Sequence, residues 1–360
     1  VKVKINLKRT IISIVVIVGI FVAGRIIFDQ SFPHLVLQGG NLELGSAAHQ
    51  TFGYNNMTLL VRNDGLAIIN RQGEMAGSIN ERFSFPFADI SGNYILHAGR
   101  WSSEAAVYRR LREVYRIGTD ENIMLGRVNR NGYSVIATEA MGFNGLVTVY
   151  NRRGAPVYRW FVGDGHIVDI DISPNNNIIA IAKISADGAA ISSVVSFVDI
   201  SQDEEFATIR RERSMISSIK FNRDGTLVAI SDTELLGFNR NGFIRYEVDF
   251  NGRSLLTFNK DSENCIVLAF EAGRGNTTIE FFNRDGRPRG SYQTQGRLRN
   301  ITVSGDVILA NRLRTVMKIT PNGRSQELIT VPHDIVSLQI MDDRRHALVV
   351  GGSQANVIRF

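Results

Sequence analysis

The stretch "ISSIKFNRDGTLVAISDTELLGFNRNGFIRYEVDF", residues 216–250, decides the fold. It divides into four short apolar or alternating runs, "ISSIKF", "TLVAI", "LLGF" and "FIRYEVDF", parted by "NRDG", "SDTE" and "NRNG". Runs this short, bounded by Asn, Asp, Gly and Ser, are strands joined by hairpins. Asn at the first position and Gly at the last suit a type I turn closed by a left-handed glycine. The stretch is therefore four antiparallel strands, a to d, with tight a–b and c–d turns and a b–c loop.

The unit recurs. Residues 123–161 repeat it as "IMLGRV", "NRNG", "YSVIAT", "EAMGFNG", "LVTVY", "NRRG" and "APVYRWF". Equivalent a–b turns fall at Tyr54-Asn55-Asn56, Ser91-Gly92-Asn93, Asn129–Gly132, Ser173–Asn176, Asn222–Gly225, Lys260–Glu263, Ser304–Asp306 and Met341–Arg344, spaced 37 to 49 residues apart. That period is one propeller blade. The expected fold is all-β, a β-propeller of eight four-stranded blades over residues 34–360. Seven is the alternative count, because the first blade is the least well marked. After the last landmark, "HALVVGG" and "ANVIRF" supply only strands b and c. "HLVLQGG", residues 34–40, is expected to return as the missing d strand, His34–Gly39, and so close the ring. Closure removes the open sheet edges that invite other chains.

Ahead of the repeats, "VKVKINLKR" (1–9) precedes nineteen predominantly apolar residues, Thr10 to Phe28. A helix of that length spans about 28 Å, close to the hydrocarbon core of a bilayer. The basic cluster predicts a cytoplasmic N-terminus and an extracytoplasmic propeller on a single-pass anchor. A cleaved signal peptide is the alternative. Residues 29–33 would form a tether of at most about 18 Å.

Composition narrows the function. The chain carries 41 Lys and Arg against 35 Asp and Glu, with a pI near 9.5. Five of those bases, Lys2, Lys4, Lys8, Arg9 and Arg25, belong to the N-terminal segment, leaving 36 against 35 for the rest. A nucleic-acid partner, which wants a basic folded face, is not expected. Cys265 is alone, so no intrachain disulfide forms, and "NCIVLAF" reads as a buried strand.

With basic N-terminus, single apolar segment and blades marked by "FNRDG" and "NRNG" turns, the chain resembles membrane-tethered β-propeller proteins of unknown function from clostridia and related Gram-positive bacteria. The resemblance implies a cell-surface location and carries no activity. The Trp-Asp, kelch, sialidase-box and quinone-docking signatures of better-known propellers are not repeated here.

Two sets of candidate residues follow from blade geometry. The turns at 129 and 222 are a–b turns and those at 70, 151, 239 and 283 are c–d turns, so all six share one face of the disc. The motif itself reads as hairpin architecture. Its arginines, Arg71, Arg130, Arg152, Arg223, Arg240 and Arg284, would populate the face that the tether enters and would meet anionic headgroups or envelope polymer. The opposite face carries the b–c and d–a loops and is where a ligand funnel is expected. Its candidates are Arg100, Trp101, Glu139, His166, Asp232, Glu271, Arg274, Arg312 and His333. Trp101 leads, as a large aromatic in a polar loop. His166 and His333 read mainly as loop braces. No nucleophile, phosphate or metal motif appears, and neither cofactor nor metal is expected. The reading is a surface-anchored binding or scaffolding module for a protein or envelope polysaccharide. The alternative is a carbohydrate-active enzyme using funnel carboxylates such as Glu139 and Glu271.

Overall fold

The computed structural model describes residues 37–187, 190–262 and 265–360. These residues form eight four-stranded antiparallel sheets. Seven are continuous in sequence, over 48–79, 86–118, 123–162, 166–212, 216–249, 255–294 and 300–330, and are blades 1 to 7. Blade 8 joins Ser337–Ile340, His346–Val350 and Gln354–Arg359 to Leu37–Glu43. The eight-blade count holds, and seven of the eight expected a–b turns connect the first two strands of a blade; the other, Lys260–Glu263, overlaps the end of the strand Leu255–Ser262 and runs outside the described residues. The basic tail, the apolar segment 10–28 and the tether lie outside the described residues.

The clasp runs further than expected. Its strand pairs Leu37 with Ile358 and Glu43 with Gln354, and shifts register between Gln38 and Leu42. Gly39 and Gly40 therefore sit at a bulge where the sequence reading ended the strand. Continuing past it lets Leu42 and Leu44 pack on Leu60, Leu348 and Val357.

Eight apolar clusters occur among the described residues, one at each junction between neighbouring blades. A b strand such as Leu227–Ser231 is buried at every position because both its faces meet other blades. It reads as a continuous apolar run for that reason. The outer d strand Ile244–Asp249 alternates between exposed and half-buried instead.

The innermost strands face a different problem. Their inner edges have no strand partner, so their backbone groups need side chains or water. Neighbouring blades supply side chains. Gln50 Oε1 accepts from Ala88 N at 3.0 Å, and Asp89 Oδ2 from Val128 N at 2.9 Å. Arg127 donates to Asp169 at 2.5 Å, and Asp169 Oδ2 accepts from Ile219 N at 2.9 Å. Lys260 Nζ reaches Ile219 O at 2.6 Å, and Asn259 Nδ2 reaches Ile301 O at 3.3 Å. Thr302 Oγ1 accepts from Ile340 N at 3.3 Å, and Thr51 meets Ser337 at 2.6 Å. These contacts link every adjacent pair of blades around the channel.

Candidate functional site

The Asn-Arg-x-Gly turns are built as their chemistry demands. In "NRNG" 239–242, Asn239 N donates to Phe243 O and Gly242 N to Asn239 O, while Asn239 Oδ1 accepts from Asn241 N and Phe243 N. Gly242 has φ of 77°, a conformation costly for a residue with a Cβ. The same double acceptance by Asn recurs at Asn70, Asn129, Asn151 and Asn283. At Asn222 the task passes to Asp224, which accepts from Thr226 N. Thr320-Pro-Asn-Gly323 forms a further turn of this shape, missed in the sequence because Thr stands in for Asn.

All six arginines are exposed, and strand direction puts their turns on one face. Several are locally anchored: Arg71 lies 3.6 Å from Asp343, Arg284 lies 3.6 Å from Asp224, and Arg240 donates to Asp224 O. Leu37, paired with Ile358, begins the clasp strand on this same face. Arg71 also joins Arg345, Arg359 and His346 around a shallow recess of about 490 Å³.

The b–c and d–a face differs in kind. Among the described residues, nine of the fifteen exposed large apolar side chains lie on it; the other six sit on outer d strands or the turns entering them. They concentrate over blades 2 and 3. Phe85 is 72% exposed, Trp101 60% and Met141 90%, with Phe143 and Phe161 packed ring to ring at 4.8 Å. Backbone bonds tie these loops together: Arg100 N to Phe85 O, Trp101 N to Ile123 O, and Glu139 N to Asn122 O. Phe85 and Trp101 both hold positive φ, 49° and 65°. Left-handed backbone is a true outlier for bulky residues and costs of order 1–3 kcal/mol.

The candidate residues of this face are spread around the ring. Glu139 accepts from Asn122 Nδ2 at 2.8 Å; Asp232 accepts from Met215 N at 2.7 Å beside a recess of about 370 Å³ between blades 5 and 6. His166 is exposed at the head of its strand, and Glu271 is exposed on blade 6 next to Arg274 in a 3-10 turn. Arg312 donates to Gln295 O, and the His333 ring packs against Gly351. None of the nine lines the central cavity.

That cavity, about 430 Å³, lies at the other end of the channel from the expected funnel. It is lined by the turn-proximal ends of inner strands in blades 1 to 6 and opens among Arg130, Asn222 and Arg223. Its charged lining, Asp89, Arg127, Asp171, Lys220 and Lys260, escaped the sequence reading. The signal was present: "FADIS", "DIDI", "IKF" and "FNK" place charges or amides inside otherwise apolar inner strands. Burial pushes the Asp171 carboxyl up to about 6, with Asp89 adding to the shift and the Phe221 N–H, Arg127 and Lys260 opposing it. Asp169 and Asp89 hold Arg127 in its charged form against the cost of burying it.

Cys265 is fully buried in its strand, and burial raises its thiol to about 11. It packs as a small hydrophobe rather than a nucleophile. Among the described residues no group of three or more His, Cys, Asp or Glu is placed to hold a metal, and no helix is long and apolar enough to cross a membrane.

Residues 41–360 match a family of unknown function, DUF5711. The chain belongs to that family. Among solved structures, this DUF5711 protein is similar to the C-terminal WD40 domain of Sif2, at 12% identity and a TM-score of 0.64, over 89% of this chain and 98% of that one. It is also similar to the Myceliophteria thermophila Cps50 (Swd1) β-propeller domain (10% identity, TM-score 0.52, 89% and 98% covered). Kuenenia stuttgartiensis hydrazine synthase aligns at 12% identity and a TM-score of 0.50, over 90% and 99%. At such identities the likeness concerns the fold alone. No curated protein matches the chain.

Proposed function

We propose that this protein is a cell-surface-anchored binding module that takes a protein partner on the b–c and d–a face, over blades 2 and 3. The observation that carries the reading is the strained presentation of Phe85 and Trp101 to solvent. Backbone strain at two exposed aromatics needs a return, and aromatic anchors on a rigid rim are what protein interfaces use. The propeller fold, commonly used for protein binding, fits the same reading. The enzyme alternative needs converging carboxylates on that face; Glu139 lies on blade 3 and Glu271 on blade 6, and neither lines the central cavity.

In this proposal the apolar segment 10–28 anchors the chain and the arginine turns face the bilayer, since the clasp strand begins on their side. Basic side chains near an anionic surface gain roughly 1 kcal/mol each, less when spread over a disc and screened by salt. The test places a photocrosslinking residue at position 101 or 152 of the full chain in its native cell. A discrete adduct at 101, lost in a Phe85→Ser background and not formed at 152, supports the reading. Adducts indifferent to Phe85, or none at 101, would refute it.

A further inference from the structure

We propose that the recess between blades 8 and 1, on the turn face, binds a phosphate group carried by a soluble ester or by a lipid headgroup. The recess holds about 490 Å³. Arg71 and Gln72 line it from the c–d turn of blade 1, and Asp343, Arg345, His346 and Arg359 from blade 8. Among the described residues Asp343 is the only carboxylate in the lining, and it is already engaged. Its Oδ1 accepts from Arg345 N at 3.0 Å and from His346 N at 3.1 Å, and its Oδ2 lies 2.6 Å from His346 Nδ1. Arg71 Nη1 stands 3.6 Å from Oδ2, near enough for an ion pair but too far for a hydrogen bond, so its donors remain available. Arg345 and Arg359 are exposed, and neither pairs with a carboxylate among the described residues. Three guanidinium groups thus surround one carboxylate that two backbone N–H groups and a histidine already hold.

The donor set favours phosphate. A guanidinium is a planar fork that meets oxyanions through two parallel donors. One fork occupies the two oxygens of a flat carboxylate, whereas the oxygens of a phosphate point in several directions and can be shared among forks. Here the forks arrive from three places: the blade 1 turn, the residue before the second strand of blade 8, and the end of its third strand. Arg359 is the cross-strand partner of His346, and the contact of Arg71 with Asp343 spans the junction between the two blades. The turns do not require these bases. Asn70 and Gly73 close the one turn, and Met341, Arg344 N and His346 O close the other, without the side chains of Arg71 or Arg345. The clasp strand begins at Leu37, paired with Ile358 next to Arg359, so the chain enters the propeller beside the recess. A lipid phosphate would be at hand there if segment 10–28 spans a bilayer, but the recess is complete within blades 1 and 8 and does not rest on that reading.

The test is calorimetry on the full chain in mild uncharged detergent at constant ionic strength, with titrations into detergent alone subtracted. The probes are glycerol phosphate, a monoester, and dihexanoyl phosphatidylglycerol, a short-chain phosphodiester lipid; glycerol and acetate are the controls. The expected result is one-to-one binding of at least one phosphate probe and none of either control. Binding of the lipid alone would assign a headgroup, and of glycerol phosphate alone a soluble ester. The double variant Arg345→Gln/Arg359→Gln should weaken binding by about tenfold or more. Gln72→Glu adds a negative charge to the lining while keeping the backbone bonds of its turn, and should weaken binding similarly. It decides the matter if the double variant fails to fold. Arg287→Gln/Arg324→Gln removes two bases that follow c–d turns on the same face, outside the recess, and should leave affinity unchanged. An equal loss in that pair would make the whole face the binder, overturning the site while leaving the proposed orientation of the face standing. No binding of either phosphate probe up to ~10 mM, acetate bound as tightly as phosphate, or binding indifferent to Gln72→Glu, would also overturn it.

Discussion

His97 offers a sharp test of how the exposed aromatic loops are supported. It lies in the second strand of blade 2, fully buried, with neither ring nitrogen hydrogen-bonded among the described residues. Its ring meets Phe83 edge to face at 4.8 Å, two residues from the strained Phe85. Burial lowers its pKa from 6.5 to about 4, only partly opposed by Glu81. The unfolded chain therefore binds a proton that the folded one refuses between those values. Stability contributed by the neutral ring is complete above pH 6.5 and is lost as pH falls towards 4. A shift of that size corresponds to roughly 3 kcal/mol in the limit, most of it already expressed at pH 4.5. Comparing urea unfolding of wild type and His97→Leu from pH 7.5 to 4.5 isolates this term, because every other titrating group is common to both. The variant should gain roughly 2–3 kcal/mol relative to wild type over that range. A stability difference that stays flat across it would refute the assignment.

Asp171 should act with the opposite sign. Its folded pKa of about 6 lies above the unfolded value, so its contribution is full at low pH and is lost as pH rises through 6. Asp171→Asn removes this titration, so its stability relative to wild type should improve by about 2 kcal/mol between pH 4 and pH 7 in denaturant titrations, on top of a pH-independent cost because an amide cannot accept from both Ile172 N and Phe221 N. At Gly237 a Cβ would stand 2.0 Å from Tyr246 Cε1. Gly237→Ala should cost about 1–3 kcal/mol in the same assay, and Tyr246→Leu in the same background should recover part of it. Within one turn, Asn239→Ala removes an acceptor for two backbone donors and should cost about 1 kcal/mol, whereas Arg240→Ala should change thermal stability by less than half of that.

The blade count and the face of every Asn-Arg-x-Gly turn were legible because turn chemistry is local: Asn239 and Gly242 satisfy their own hairpin with no help from afar. The b and c strands were legible because burial on both faces leaves an apolar run. The clasp was legible as a strand but not in its bounds, since a bulge at Gly39-Gly40 depends on the partner edge at Gln354–Arg359. The channel was legible only as charges and amides set inside apolar inner strands, not as a cavity. Whether Asp171 points at a neighbouring blade or at water depends on how blades stack, and Phe221 N, its partner, is fifty residues away. Nor does sequence announce that Phe85 and Trp101 hold left-handed backbone, a conformation imposed by the loops around them.

Closing a propeller raises an obligation that any sequence with this fold must meet. Eight inner strands leave their edges unpaired, and the unpaired N–H groups call for acceptors. Asp89, Asp169 and Asp171 answer that call at Val128, Ile219 and Phe221. Acids in the channel are thus explained by architecture, with no ligand needed. Arg127 is explained in turn, as the countercharge that lets Asp169 be buried. The same logic accounts for Lys260, whose ammonium answers the Ile219 carbonyl. Arg130 and Arg223 line the same cavity from the a–b turns of blades 3 and 5, whose backbone bonds are closed by Asn129 and Gly132 in the one and by Asn222, Asp224 and Gly225 in the other.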